Sequence, residues 1–450
     1  MSMLGWDEDF ERLAGRLSSQ TIQVILAHCT LRMPAIQTLP SINVECAAVV
    51  TIGGEVGFRV DIQGAMAPAQ HPYFMAAALS AETNKPYRLR GTDAEGGKWF
   101  INDLRLPTNC DMAAGAFQAR MEPNYISVRG PEGDASEPEI EIAIDSAVKL
   151  PRSGYQLETD QFEDMSDGPD RGRVEAADFE LMHTSVGRFR ILSLVPAPRR
   201  AVRHEVRDLC DAIAFVSGRR VDVELARVTS AEGTSLHIHR RRPWLHPSLP
   251  PIESAGQTGA RDIWRVLHAY MRFARAAPAH KRPTLSVHLA ELHGAIAATY
   301  ASSKALIAAV TVEGLVTDFI KAKSEYSAGE ISDFKKLIKE LEAPKRVVSH
   351  LCQQVANLGT VNTSRRLKAL VDSGIVDEGE VKIWNEGRHK LAHGKKSAGH
   401  EDVDRYLAAV TLVHAIVLSL LAYDGPYQSR SRQGIRQRRS VPLPKELLVN

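Results

Sequence analysis

Residues 384–394 read W-N-E-G-R-H-K-L-A-H-G, and this stretch decides how the C-terminal half of the chain is interpreted. Four residues separate Arg388 from His393, and the polar ring of His389 directly follows the arginine. Gly394 is a typical helix-ending residue, because glycine readily takes the left-handed backbone that follows a last helical turn. The pattern predicts a helix over 378–393 that carries a permanent cation and a titratable imidazole near its end.

The spacing on this helix defines what the three polar residues can do together. Positions five apart lie about 140° apart around a helix, so Arg388 and His393 are on different faces. His389 and His393 are four apart and share a face. The negative end of the helix dipole favours a protonated His393, which suits it to donate a proton near neutral pH. Gly387 costs about 1 kcal/mol of helix stability relative to alanine, and it permits another helix to come close.

Cleavage of a phosphodiester needs a base, an acid and a cation that stabilises charge on the phosphate. RNA carries its own nucleophile in the 2′-hydroxyl group, so no metal is required. One arginine and one histidine supply half of such a site. Two copies of the helix, related by a two-fold axis, would supply a complete one.

R-H-K-L-A-H-G resembles the R-x4-6-H signature of the HEPN superfamily, in which a polar residue follows the arginine. The first half of the chain is rich in strands and ends in H-E-V-R-D-L-C-D-A-I-A-F-V-S-G-R-R-V. A helical bundle follows it, and this order is similar to the Apea-like HEPN proteins of bacteria. The resemblance covers residues 260–423 and implies a dimeric, metal-independent endoribonuclease of phage defence, abortive infection or toxin systems.

The resemblance also implies roles for individual residues. Arg388 and His393 would be the catalytic pair, and His389 would be the supporting polar residue. Glu313, in V-T-V-E-G-L-V, matches an acidic position of the family. The implied partners are RNA and a second copy of the chain, bound through the helical domain. The N-terminal domain would sense a phage-derived or small-molecule trigger, and neither a cofactor nor a metal is expected.

Composition places the chain among ordinary soluble globular proteins. Its 450 residues allow two or three domains, with 44% hydrophobic residues, 24% charged residues and a net charge of +2. The cysteines are scattered without a CxxC pair, which argues against a disulfide framework or zinc ribbon and favours the cytoplasm. The acidic N-terminus does not resemble a secretory signal. The apolar run 406–423 contains Thr411 and His414, so we expect a buried helix and no membrane span.

Residues 1–195 are predicted to form a β-rich domain. Two Val- and Ile-rich runs, 44–52 and 56–62, flank Gly53-Gly54 and predict a hairpin. Further short strands are predicted at 87–89, 98–104, 125–128, 140–144 and 187–195. Closely spaced turn residues between them indicate an antiparallel sandwich or barrel. The acidic segment 150–178 is expected to be a long surface loop.

The remainder of the chain divides into three segments. Residues 196–250 are predicted to be a small α/β segment that completes or links the N-terminal module, with a helix over 201–217 and strands over 220–228 and 235–240. A proline- and glycine-rich stretch marks the boundary with a helical bundle at 260–424. The arginine-rich tail 425–450 is expected to be disordered, either contacting RNA phosphates or adding solubility. The overall prediction is an α+β fold with a β-rich first half and a helical second half.

Other polar clusters give weaker signals. His237 and His239 share a face of a predicted strand, and with His246 they could bind a metal, a phosphate or nothing. His288 and His293 flank Glu291 on a helix, and ordinary helix surface is the favoured interpretation. The acids at 160–170 lack the spacing of a calcium loop. No nucleotide-binding or serine-hydrolase motif is present in the sequence.

Two further functions stay open beside the nuclease. The chain could be a non-catalytic protein whose N-terminal module binds a ligand or nucleic acid while the bundle only dimerises. It could also be a carbohydrate-active β-sandwich enzyme with a helical appendage, using paired carboxylates in its first half. The sequence does not single out such a pair.

Overall fold

The computed structural model describes residues 8–33, 35, 41–53, 57–65, 67, 70, 87–104, 116–130, 139–156, 159, 161–164, 170–176, 179–195, 202–230, 233–240, 249–253, 256–276, 281–322, 324, 326–358, 361–392 and 399–449. The chain divides into two compact units. The first comprises residues 1–210 and 221–244, and the second comprises 211–220 and 245–450. The first is rich in strands and the second is helical, so the predicted α+β class with this order of parts is confirmed.

The first unit begins with helix α1 (Phe10–Ser19), which Asp9 caps by accepting a hydrogen bond from the Glu11 amide. Its described strands are β1 (Thr21–Met33), β2 (Ile42–Gly53), β3 (Gly57–Ala65), β4 (Tyr87–Thr92), β5 (Lys98–Leu104), β6 (Ala116–Met121), β7 (Tyr125–Arg129), β8 (Glu139–Asp145), β9 (Ser153–Gln156), β10 (Gln161–Asp164), β11 (Arg171–Ala176), β12 (Phe179–Val186), β13 (Phe189–Val195), β14 (Val223–Ser230) and β15 (Gly233–His239). The predicted β2–β3 hairpin and the pairing of β14 with β15 are both present.

The described strands form one mixed sheet in the order β10-β9-β11-β12-β13-β8-β14-β15-β7-β5-β4-β1-β2-β3-β6. Seven strands separate β13 from β2, so a flat sheet would hold them about 38 Å apart at the usual strand spacing. Both nevertheless reach α1. Ser18 accepts a hydrogen bond from the Arg188 amide at the β12–β13 turn, and the Leu17 and Gln20 carbonyls lie against Gly53. The sheet therefore curls around α1 in a barrel-like manner.

The acidic segment 150–178 is not simply a surface loop, and that prediction is wrong where β9, β10 and β11 occur. In β11, charged side chains face outward while Gly172 and Val174 face inward. Arg173 pairs with Glu180 on the neighbouring strand at 2.7 Å. Opposite charges across a sheet edge stabilise such a strand, although its composition looks like that of a loop.

The second unit is built from helices. Helix α2 (Val202–Ser217) begins in the first unit, and its last turns belong to the second. The other described helices are α3 (Gly256–Ala276), α4 (Lys281–Ala297), α5 (Ala301–Phe319), α6 (Ala328–Lys339), α7 (Lys345–Leu358), α8 (Thr363–Asp372), α9 (Glu378–Ala392) and α10 (Gly399–Leu420). Helices α4 and α5 follow one another closely, with a break between Ala297 and Ala301.

Helix α10 is the central element of this unit. It is, within the described ranges, the one helix long and apolar enough to cross a membrane by length and composition. Its apolar window is 78% buried, which is how the core helix of a soluble protein behaves. The prediction of a buried helix at this position is confirmed.

The arginine-rich tail is folded between residues 426 and 439, so the expectation of disorder is wrong there. It forms a hairpin of β16 (Pro426–Ser431) and β17 (Gly434–Arg439). Arg438 pairs with Asp377 and Glu380 at 3.3 Å each, and Ser429 donates a hydrogen bond to Glu380. Burial raises the pKa of the Glu380 carboxyl. These contacts hold the hairpin against the beginning of α9, because Arg438 in the tail forms ion pairs with Asp377 and Glu380.

Candidate functional site

Two contacts one helical turn apart fix α9 against α5. The buried indole of Trp384 donates a hydrogen bond from Nε1 to the Ala309 carbonyl at 3.2 Å. Four residues later, Nη2 of Arg388 donates to Oε1 of Glu313 at 2.5 Å. Ala309 and Glu313 are also four residues apart on α5. The first contact anchors the helix in the core, and the second sets the direction of the arginine.

Two groups hold the Arg388 side chain, and a third supports one of them. Besides Glu313, its guanidinium lies over the Trp384 ring at 5.8 Å, within cation–π range. Thr363 at the start of α8 donates a hydrogen bond to the same Glu313 oxygen at 3.4 Å. The side chains of Arg388 and Glu313 are 40% and 33% exposed. Solvent therefore reaches the cation, although its position is restrained from two sides.

Gly387 is the place where α10 lies against α9. A Cβ atom at Gly387 would lie 2.6 Å from Cδ and 2.7 Å from Cγ of Arg405 on α10. Arg405 is buried and donates hydrogen bonds to Asp402 and Glu401 at 2.7 Å each. This arginine cannot move aside without giving up those ion pairs. The expectation that Gly387 lets a helix approach is confirmed, and the helix belongs to the same chain.

The three predicted site residues are described to different extents. Arg388 is on α9, beside the predicted acidic residue Glu313. The structure describes the helical backbone of His389 and not its side chain, and His393 lies outside the described residues. Helix α9 is described to Ala392, in agreement with the predicted helix. The structure thus brings together the arginine and the acid, which are 75 positions apart in the sequence.

Sequence reasoning missed Thr363 and Arg405, which support this site. Thr363 gave no signal because it begins a short polar helix. For Arg405 a signal existed in the glycine itself, because a glycine inside a helix favours close approach of a neighbour. The identity of that neighbour depends on tertiary packing.

His288 on α4 is buried, so its interpretation as ordinary helix surface is wrong. Its Nε2 lies 2.9 Å from Oδ2 of Asp318 on α5. A Cβ atom at Gly314 would collide with the imidazole, so this glycine admits the ring against α5. The burial of His288 could not be predicted from a local sequence pattern, because Gly314, which makes room for the ring, lies on a separate helix. His293 lies on a different face of α4, where it hydrogen-bonds to the Ala214 backbone on α2.

The histidines of β15 have ordinary protein partners. Nδ1 of His237 lies 2.6 Å from the Tyr125 hydroxyl, and Nε2 lies 3.1 Å from the Ser235 hydroxyl. The His239 ring packs on Tyr125 with centroids 4.7 Å apart. His246 lies outside the described residues. Among the residues that the structure describes, no group of three or more His, Cys, Asp or Glu side chains could hold a metal ion.

Comparison with known proteins adds no relative. No protein-family model matches the chain, and neither a curated protein nor a solved structure matches it.

Proposed function

We propose that this chain is a metal-independent endoribonuclease of the HEPN type. The observation that carries the proposal is the restrained, solvent-reachable guanidinium of Arg388 on α9, held by Glu313 and Trp384. A cation that is already oriented loses little conformational freedom when it meets a phosphate, which is the condition for effective electrostatic catalysis. His393, the next residue after the described end of α9, adds the proton-transferring group.

In the proposed reaction, the 2′-hydroxyl of RNA attacks the adjacent phosphate. Arg388 stabilises the charge that develops on the phosphate oxygens, and a planar guanidinium suits them because it can donate two parallel hydrogen bonds. His393 transfers the proton, and His389 orients the phosphate or its partner histidine. Glu313 holds the guanidinium before the substrate arrives.

The complete site is proposed to form between two copies of the chain. One chain offers one Arg388 and one His393, while the reaction needs both a base and an acid. A homodimer through the helical unit, with the two copies of α9 facing one another, supplies both. Val310 and Ile383 are exposed apolar side chains on α5 and α9, the two helices that the Arg388–Glu313 pair joins.

The biological setting follows from the same proposal. An unrestrained ribonuclease harms its own cell, so the strand-rich unit would restrain the nuclease or sense a phage-derived or small-molecule trigger. The cytoplasm, where RNA is found, would be the site of action in antiviral defence, abortive infection or a toxin system.

The direct test is RNA cleavage in EDTA by the wild type, Arg388→Ala and His393→Ala. We expect Arg388→Ala to lower the cleavage rate by about 10²–10³, as for loss of one electrostatic contact to a transition state. We expect His393→Ala to lower it by about 10²–10⁴, as for loss of a proton-transferring group. Lys382→Ala is the matched control, because Lys382 is an exposed cation on the same helix.

Equal cleavage by all four proteins would contradict the assignment, as would a strict requirement for a divalent metal. Arg388→Lys separates charge from geometry. Lysine keeps the charge but cannot make the paired hydrogen bonds of a guanidinium, so its activity should lie well below the wild type.

The Arg388–Glu313 ion pair also favours a second candidate, a non-catalytic protein whose bundle only dimerises. In that case the ion pair would only hold α9 against α5, and Arg388 would not bind a substrate. Such a protein could bind RNA or another ligand, but would leave RNA intact at every concentration and pH tested.

A further inference from the structure

Four residues lie in one row across four strands of the first unit. In the strand register, Gly91 on β4 is opposite Cys29 on β1, Cys29 is opposite Cys46 on β2, and Cys46 is opposite Gly64 on β3. Both cysteines are buried and belong to the same hydrophobic core. Their side chains therefore point to the same side of the sheet as direct neighbours.

This placement meets the distance requirement of a disulfide bond. Directly opposite residues of an antiparallel pair have Cα atoms about 4.5–5.5 Å apart. Disulfide-bonded cysteines have Cα atoms about 4.4–6.8 Å apart. Both cysteines are free thiols, and each one shifts the acidity of the other.

Gly91 leaves room for the sulfur atom of Cys29. A Cβ atom at Gly91 would lie 2.7 Å from Sγ of Cys29. The register of β1 shifts between Leu26 and Cys29, and Sγ of Cys29 donates a hydrogen bond to the Leu26 carbonyl at 3.3 Å. The irregular ladder beside Cys29, together with the missing side chain at Gly91, permits the rotation that a disulfide needs.

The two thiols also differ in acidity. The hydrogen bond from Cys46 lowers the pKa of the Cys29 thiol. The same interaction, together with burial, raises the pKa of Cys46. Cys29 is thus the better source of a thiolate, which is the nucleophilic form, and Cys46 is the proton donor beside it.

We propose that Cys29 and Cys46 are a redox-active pair that hydrogen peroxide converts into a cross-strand disulfide. In the first step the Cys29 thiolate attacks one peroxide oxygen and the O–O bond breaks, which gives a sulfenic acid and a hydroxide ion. The hydroxide takes up the proton that Cys29 had released on ionisation and leaves as the first water. In the second step the Cys46 sulfur attacks the Cys29 sulfur, the S–O bond breaks, and a second water leaves. Two thiols and one peroxide thus give one disulfide and two waters.

Peroxide is the oxidant that fits, because Cys29 is 1% exposed and Cys46 is 8% exposed. A molecule of this size can enter during small openings of the sheet, whereas a bulky disulfide such as oxidised glutathione is excluded. The product would join β1 to β2 and close the chain between them, which should raise the thermal midpoint of the first unit. This property is independent of the nuclease proposal.

The test uses the full chain with Cys110, Cys210 and Cys352 replaced by serine. The protein is treated with hydrogen peroxide and denatured in N-ethylmaleimide, and its mass is then measured by intact-protein mass spectrometry. We expect two maleimide adducts before oxidation, none after it, and two again after dithiothreitol. Two adducts that persist after peroxide would overturn the proposal, as would products that dithiothreitol does not reverse.

The matched control adds Cys46→Ser to the same background. Cys29 alone should then give a sulfenic acid, trapped by dimedone, and no protected pair. If the serine background does not fold, the wild type is oxidised and digested instead. A peptide that joins Cys29 to Cys46 supports the pair. Cross-links that involve only other cysteines contradict it.

Discussion

Gly387 shows how a single missing side chain allows the contact between α9 and α10. The Arg405 atoms beside it belong to the middle of the side chain, which its two acid partners hold at the other end. Glycine therefore lowers the helix propensity at this position, but it allows the buried Arg405 side chain to pack closely against α9.

We expect Gly387→Ala to destabilise the helical unit by about 1–3 kcal/mol, the usual cost of overpacking. Gly294→Ala is the matched control, because a Cβ atom at this helical position of α4 meets nothing within 4 Å. It should stabilise the protein by up to about 1 kcal/mol through helix propensity alone. Urea unfolding measures both variants. An equal gain in stability from the two substitutions would show that Arg405 does not fill the space.

His414 is a buried titratable group in α10. Burial lowers the pKa of His414 to about 3, and the positive charge of Arg430 and the neighbouring His293 act in the same direction. Its ring packs edge-on against Phe215, and Nδ1 has no hydrogen-bond partner within the described part of the chain. The native protein therefore keeps this imidazole neutral.

This burial makes stability depend on pH. The unfolded chain binds a proton at His414 below about pH 6.5, while the folded protein does not until about pH 3. Since the unfolded state binds more protons, stability falls as the pH drops through this window, by at most about 1.4 kcal/mol per pH unit. His183, whose burial lowers its pKa to about 4, contributes in the same direction from the first unit.

We expect His414→Leu to reduce this acid sensitivity without loss of stability at pH 7.5. The measurement is the free energy of unfolding in urea at pH 7.5 and pH 5 for both proteins. The difference in unfolding free energy between the two pH values should be smaller in the variant, because His414 no longer titrates. It should not vanish, because His183 and His293 still do. Identical differences would mean that His414 is not held neutral in the folded protein.

At the scale of whole elements, the C-terminal hairpin and the segment after it belong to the helical unit. The Lys321 amide donates to the Leu447 carbonyl at 2.7 Å, and the Val449 amide donates to the Phe319 carbonyl at 3.0 Å. Phe319 and Ile320 are both buried. The last residues thus complete the end of α5.

Deletion of residues 426–450 should consequently destabilise the protein by several kcal/mol, because it exposes apolar side chains and leaves Glu380 without its partners. Circular dichroism during urea unfolding measures the loss. Arg436→Ala is the control, since this arginine lies on the exposed strand β17 and should change stability by less than about 0.5 kcal/mol. A truncated protein as stable as the full chain would restore the expectation of a disordered tail.

The elements that sequence patterns predicted well are those with strong periodicity. The β2–β3 hairpin, α2 and α9 follow from alternation, helical periodicity and glycine stops. β11, β16 and β17 were missed because polar and charged residues dominate them. The acids that hold β17, Asp377 and Glu380, are far away in the sequence. β1 and α1 were also missed. Their places in the fold depend on the other strands that surround them, and no local sequence pattern predicts those contacts.

The candidate site was likewise predicted only in part from the sequence. The sequence located Arg388 on a helix near its end, because spacing and glycine placement are local properties. The contacts that orient the guanidinium come from α5 and α8, so they depend on packing between helices. Resemblance to a family suggested Glu313, and periodicity alone would not have selected it.

At the scale of the whole molecule, the proposed nuclease depends on association of two chains. Cleavage per chain should fall as the protein is diluted below the dissociation constant of the dimer, because each chain carries half of the site. Sedimentation velocity at the same concentrations reports the fraction of dimer. Full activity in a preparation that sediments as a monomer would show that one chain is sufficient.

Helix α1 imposes an order of events on the newly made chain. Nη1 of Arg227 donates a hydrogen bond to the Glu8 carbonyl at 2.6 Å, across 219 positions of sequence. At usual synthesis rates the first helix leaves the ribosome on the order of 10–40 s before that arginine is made. Early in this interval Phe10, Leu13 and Leu17 lack the strands that later cover them. The nascent chain therefore exposes the apolar face of an amphipathic helix. We expect chaperones that bind such segments to be needed while the chain is synthesised.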